Sequence, residues 1–273
     1  MNGTLLESEL FRRVTFLHPL EELRVPENFP IALTAWLLMM FTFHSLCGTL
    51  EICDQKKWLV QFRRKPAGDK KTYKEMMPRI LINQICLMLP TMIMAERLGL
   101  CFQNKQLLIS VPNLVYNFLA MGIGHDVIFY LGHRYLLHSK WGYKLFGHDV
   151  HHSTGANCAL SAFYMANVDF CFEILLPYLL PMWFMGPDSC ATFSLMAPAI
   201  GAVGGLYEHS GYEFFPNLSV ASTKSHFLHH NLGFVSFADG FGSPGIMDWA
   251  FGTTYEQYQK KNMTPTENGE KSD

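Results

Sequence analysis

Between Ile31 and Leu50 the chain has no Asp, Glu, Lys or Arg, and a run of that length reaches across the hydrocarbon core of a bilayer as a helix. In that environment every backbone N–H and C=O must be satisfied within the segment, so it must be helical. His44 is its most polar interruption. Two shorter apolar runs follow, about Ile80 to Ala95 and about Leu107 to Ile123, with kinks expected at Pro90 and Pro112. A last pair, about Phe170 to Met185 and Ala191 to Leu206, meets at Gly186-Pro187-Asp188 and reads as a helical hairpin. Pro177, Pro181 and Pro198 leave open whether it spans or re-enters. The expected fold is all-α, an integral membrane helical domain over residues 31–258 with about four to five membrane segments including the hairpin. Residues 1–30 read as an amphipathic segment without a cleavable signal, and residues 259–273 as a disordered polar tail.

The connection between the first two runs holds Lys56, Lys57, Arg63, Arg64, Lys65, Lys70, Lys71, Lys74 and Arg79 against few acids, which makes it cytoplasmic by the positive-inside rule. Counting crossings from there brings the residues after the third run, and those after the hairpin, to the same side. A net charge of −2 without a basic stripe excludes a nucleic-acid binder. Seven scattered cysteines with no C-x-x-C pair exclude a disulfide framework and a zinc ribbon, so any metal chemistry falls to histidine.

Eight of the twelve histidines lie on that cytoplasmic edge in three clusters: His133 and His138; His148, His151 and His152; His226, His229 and His230. The second and third share the spelling H-x-x-H-H. Residues at i, i+3 and i+4 of a helix project from one face, so each triplet is expected to offer three imidazoles to one place. Eight donors are too many for one first-row ion and about right for two, which implies a dinuclear centre in a histidine-rich helical cap. Of the other four, His18, His44 and His125 read as ordinary core or surface residues. Gly201-Ala-Val-Gly-Gly205 reads as small-residue helix packing, and Arg134 as a contact beside the metal or a snorkelling cation.

Five segments, Asp126 to His138, Gly147 to His152, Tyr207 to Tyr212, His226 to His230 and Met247 to Thr253, together resemble the fatty acid hydroxylase and sterol desaturase superfamily. The resemblance runs from about Tyr73 to Thr254. The His209-Ser-Gly-Tyr212 element and the closing Asp248-Trp-Ala-Phe-Gly-Thr253 turn are most similar to C-4 methylsterol monooxygenases and cholesterol 25-hydroxylases. This implies a non-haem centre of two iron ions using O2 as co-substrate, on the cytoplasmic face of the endoplasmic reticulum membrane. A cytochrome b5-type donor with its NAD(P)H reductase would supply electrons, and a lipid, most of all a sterol oxidised at its C-4 methyl, would be the substrate. The family's ligand positions fall on the eight histidines, with His209 as a ninth. Glu213 stands where some hydroxylases carry a further histidine. Asp126, Asp149, Asp239 and Asp248 are candidates to accept the free N–H of a ligand imidazole.

One spacing departs from the sterol oxidases. His133 and His138 are five apart rather than four, about 140° around an ideal helix. A local bend, or donation to different ions, would reconcile this, and fatty acid hydroxylases and acyl desaturases also use the longer spacing. An acyl-chain or sphingolipid hydroxylase or desaturase is therefore the alternative enzyme. A zinc-stabilised membrane scaffold or transporter is the alternative of another class. An unactivated lipid C–H bond offers neither an acidic proton nor an electrophile, so an oxygen-activating metal must supply the difficult step.

Overall fold

The computed structural model describes residues 23–64, 71–107, 110–218, 223–238 and 243–262. The first 22 positions of the expected leader and everything after Asn262 in the expected tail lie outside them. The described residues form no β-strand; two isolated bridges, Arg24 to Gln106 and Arg63 to Tyr212, are the nearest approach.

Among the described residues four helices are long and apolar enough to cross a membrane: α1 (Ile31–Gln55), α2 (Tyr73–Arg97), α3 (Val111–Leu137) and, after two short helices, α6 (Asn167–Asp188). The short helices are α4 (Gly142–Leu145) and α5 (His148–His152). The chain then forms α7 (Ala191–His209), α8 (Lys224–Leu232), α9 (Ile246–Phe251) and α10 (Tyr255–Asn262). Residues 259–262 of the expected tail thus close a helix.

On α1 the residues Ile31, Ala35, Met39, Phe43 and Cys47 recur every four positions and are buried, while Leu37, Leu38 and Phe41 face outward. That stripe packs against α7, whose Ala197, Ala199, Ala202 and Gly204 let the backbones approach closely. The hairpin of α6 and α7 forms as expected, but α7 is mostly enclosed by other helices and only α6 qualifies as a span. The N-terminus of α1 is capped from α2, where the Glu96 carboxylate accepts from the N–H groups of Ile31 (3.0 Å) and Ala32 (3.1 Å). His44 pairs with Gln84 of α2 at 2.9 Å, which satisfies the polar interruption of the first run.

Three of the spans contain π-helical stretches, at Asn83–Met88, Leu131–Leu137 and Cys171–Leu175. Pro90 follows the first of these. Pro112 sits in the first turn of α3, where its missing N–H has no helical partner to lose, so no kink is required. α3 continues through His133 instead of ending before it, because the π turn extends the hydrogen-bonded ladder to Leu137.

The basic connection lies at the histidine end of the bundle. Arg63 donates to the carbonyls of Ser210 (2.5 Å) and Asn157 (2.9 Å), and Arg64 forms an ion pair with Glu213 at 2.7 Å. The charge pattern and the histidines therefore share one end of the molecule.

Candidate metal centre

Nine imidazoles converge from four elements: His133 and His138 at the end of α3, three from α5, His209 at the end of α7, and three from α8. They form two groups. His133, His138, His148, His152 and His229 bring their ring nitrogens together in the first; His151, His209, His226 and His230 do so in the second. This corrects the expectation that each triplet serves one place. In α5, His148 and His152 at i, i+4 turn to the first group and His151 to the second. In α8, His226 and His230 turn to the second and His229 to the first. Both short helices are wedged between the groups, so adjacent residues diverge to opposite sides.

The long spacing in the first cluster is resolved by the π turn. The N–H of His138 donates to the carbonyl of His133 at 2.8 Å, an i→i+5 bond that closes one turn between them. The rings lie 4.8 Å apart and serve the same group. Gly147 sets the entry to α5: its φ of +75° is open to glycine, and an added Cβ would press on Ala166 at 2.5 Å.

Within the first group the Nε2 atoms of His133 and His148 are 3.1 Å apart, those of His138 and His148 3.0 Å, and those of His138 and His229 3.1 Å. In the second, His209 and His226 approach to 2.8 Å, and His226 and His230 to 3.1 Å. Several rings are held from behind. His133 Nδ1 donates to the Phe237 carbonyl (2.5 Å), His229 Nδ1 to the Val235 carbonyl (2.7 Å), and His148 Nδ1 to Asp169 (2.9 Å). A ring whose Nδ1 donates presents a bare lone pair at Nε2. Bare lone pairs about 3 Å apart repel unless a cation lies between them, so the donor set fits metal ions. Five nitrogens in the first group exceed the four of a closed tetrahedral zinc site, whereas the four of the second match that number.

Burial, reinforced by neighbouring imidazoles, lowers the basicity of these rings. It pushes His138 down to about 2, His151 to about 3 and, by burial alone, His229 to about 4. The same causes hold His148, His152, His226 and His230 well below the ordinary histidine range. Neutral rings at neutral pH are the form that binds a metal.

The four aspartates named from sequence do other work or lie elsewhere. Asp248 accepts from the N–H groups of Phe237 (2.9 Å) and Ala238 (2.6 Å), which fixes the loop whose carbonyl holds His133. Asp126 accepts from Ser243 (2.8 Å) and the Met247 N–H (3.0 Å), tying α3 to the start of α9. Asp149 receives none of these imidazole contacts, and Asp239 lies outside the described residues. Glu213 is engaged by Arg64 and Thr223. Arg134 sits among the rings of Tyr130, Tyr135, Phe237 and Phe251 and donates to the Tyr130 hydroxyl. His44 and His125 join neither group; His125 stacks on Phe129, and His18 lies outside the described residues.

Sequence reasoning missed Asp169 and Glu173, both fully enclosed on α6 and in contact with His148. The signal was available: two carboxylates four apart on an apolar membrane segment are expensive without a partner. Asp169 lies one position before the apolar run that begins at Phe170, and Glu173 lies inside it.

A cavity of about 250 Å³ leads to the second group. Its walls are mainly apolar, including Met92, Met121, Leu179 and Phe193, and it reaches His151, His209, His226 and Glu173. Gly201 leaves room for the Tyr178 hydroxyl in this wall, since any Cβ there would overlap it.

Residues 118–253, about half of the chain, match the family model for fatty acid hydroxylase. The chain belongs to the fatty acid hydroxylase family. Comparison with curated proteins and with solved structures gave no match. The region matched to the fatty acid hydroxylase family begins within α3 and ends just after α9, so it holds all nine histidines together with Asp169 and Glu173. It leaves out α1 and α2, which pack around that region. As a family member this is a membrane oxidoreductase of the lipid hydroxylase and desaturase kind.

Proposed function

We propose that this protein is an O2-dependent diiron monooxygenase of the endoplasmic reticulum membrane that hydroxylates a sterol, with the C-4 methyl as the carbon oxidised. The observation that carries the lipid reading is the apolar cavity ending on His151, His209 and His226. His133, His138, His148, His152 and His229 would hold one iron; His151, His209, His226 and His230 would hold the other. When bound, the iron pair supplies oxygen activation strong enough to break an unactivated C–H bond. The chain's own part is positioning. The cavity walls exclude water and align the lipid, while Asp169 and the Phe237 and Val235 carbonyls fix the rings. The shared end of the basic connection and the histidines supports a cytoplasmic site. A cytochrome b5-type protein with its NAD(P)H reductase is the electron donor that such a site would meet.

The His209-Ser-Gly-Tyr212 element favours the sterol. Acyl-chain or sphingolipid hydroxylation or desaturation is the second reading, favoured by the five-residue spacing of His133 and His138. The five-nitrogen first group speaks against a closed tetrahedral zinc scaffold. The test is the purified, iron-loaded chain with a b5-type reducing system, offered methylsterols and acyl lipids in separate reactions. Mass spectrometry should find an added oxygen on the methylsterol. Product only from the acyl lipids replaces the sterol reading, and no oxygen consumption with either class favours the scaffold.

A further inference from the structure

Glu173 stands between the two histidine groups. Its Oε1 lies 3.3 Å from Nε2 of His133, a member of the first group, and its Oε2 lies 3.7 Å from Nε2 of His151, a member of the second. Oε1 is also 3.4 Å from Nδ1 of His148. The side chain is 2 % exposed, and among the described residues Oε1 has no hydrogen-bond donor. The residue rides on the π stretch Cys171–Leu175 of a helix apolar enough to cross a membrane. A buried carboxylate with an unpartnered oxygen is costly there, and cations on both sides are what would offset that cost. The donor count points the same way. The groups hold five and four imidazoles, so one further oxygen each completes six and five donors, within the range that non-tetrahedral first-row ions accept.

We propose that Glu173 is a bridging ligand, giving Oε1 to the ion of the first group and Oε2 to the ion of the second. The inference rests on the dinuclear reading above and adds a residue to it that the histidine pattern does not contain. A bridge would fix the separation of the two ions and couple them electronically. It would also place the pair's shared carboxylate at the cavity wall, which Glu173 helps to line.

The experiment uses the full chain, purified metal-free in detergent and titrated anaerobically with ferrous iron. Iron content gives stoichiometry, and Mössbauer spectra of iron-57 samples in an applied field report exchange coupling, so no turnover is needed. The wild-type chain should take up two ions that behave as a coupled pair. E173Q keeps the volume of the side chain and removes its charge; one of its two ions should bind at least tenfold more weakly, and the coupling should disappear. E173D restores the charge one methylene short of the span, so affinity should recover in part while the coupling stays absent. Two ions in E173Q with wild-type affinity and coupling overturn the bridge and leave the dinuclear reading standing. A wild-type chain that takes up fewer than two ions overturns both.

Discussion

The N–H of His138 donates to the carbonyl of His133 at 2.8 Å, and this single i→i+5 bond puts two histidines five residues apart onto one metal group. On an α-helical path they would point about 140° apart. The π turn therefore brings the first cluster together, and the split of the other two clusters sorts the nine rings into two groups. The consequences can be measured.

The grouping predicts which histidine pairs can be lost together. H148A/H152A removes two donors from the first group and leaves the second whole, so about one ion per chain should remain. H148A/H151A, which removes the same number of rings from the same helix, damages both groups and should retain less than one ion at equal free metal. Iron content by mass spectrometry separates the two. Identical loss from both pairs would show that the triplet acts as one unit.

D169N should weaken metal binding without unfolding the protein. Asp169 accepts from Nδ1 of His148 at 2.9 Å, which fixes the tautomer and raises the ring's donor strength. Loss of such a partner typically costs about 10- to 100-fold in affinity. A ferrous titration should show that drop at the first group, and an unchanged affinity would assign Asp169 a packing role.

G201A should impair turnover while leaving the metal in place. The new methyl overlaps the Tyr178 hydroxyl and forces that ring further into the cavity. Product formation from the accepted lipid should fall at least tenfold, with KM rising, while iron content stays at the wild-type value. Equal turnover would mean that the substrate does not use this cavity.

D248A should destabilise the loop that carries the Phe237 carbonyl. It removes the acceptor for the Phe237 and Ala238 N–H groups and for the Thr253 hydroxyl (2.6 Å), all at a fully buried carboxylate. Unpartnered buried donors cost about 1–3 kcal/mol each, so a loss of roughly 3 kcal/mol or more is expected. Thermal unfolding in detergent should show it as a lowered Tm, and His133 should bind metal more weakly in parallel.

Acid should destabilise the metal-free protein. His138, His151 and His229 are pushed down to about 2, 3 and 4 when folded, against about 6.5 when unfolded. Between those values the unfolded chain binds more protons, so stability is intact above about pH 6.5 and falls as the pH drops toward 4. Thermal unfolding of the metal-free chain across that window should show a steady decline. Iron loading should move the decline to lower pH, because a bound ion holds the rings deprotonated.

The amino-acid order by itself determined the apolar runs, the basic connection and the identity of the nine histidines. These rest on local rules: backbone satisfaction in lipid fixes helices, and charge fixes which end is which. The tertiary structure decided how the rings are shared. Which side of α5 or α8 faces which neighbour depends on how two short helices wedge between α3 and α7, and no period in the sequence encodes that. The acceptors behind the rings were hidden for a related reason, since Phe237 and Val235 act through backbone carbonyls that every residue possesses. Asp126 and Asp248 show the converse, carboxylates near the motifs that are used to hold loops. Glu173 was visible as a charge in an apolar run. Only the packing of α6 between the groups placed its two oxygens toward His133 and His151, because contact between residues far apart in the chain is a property of the fold.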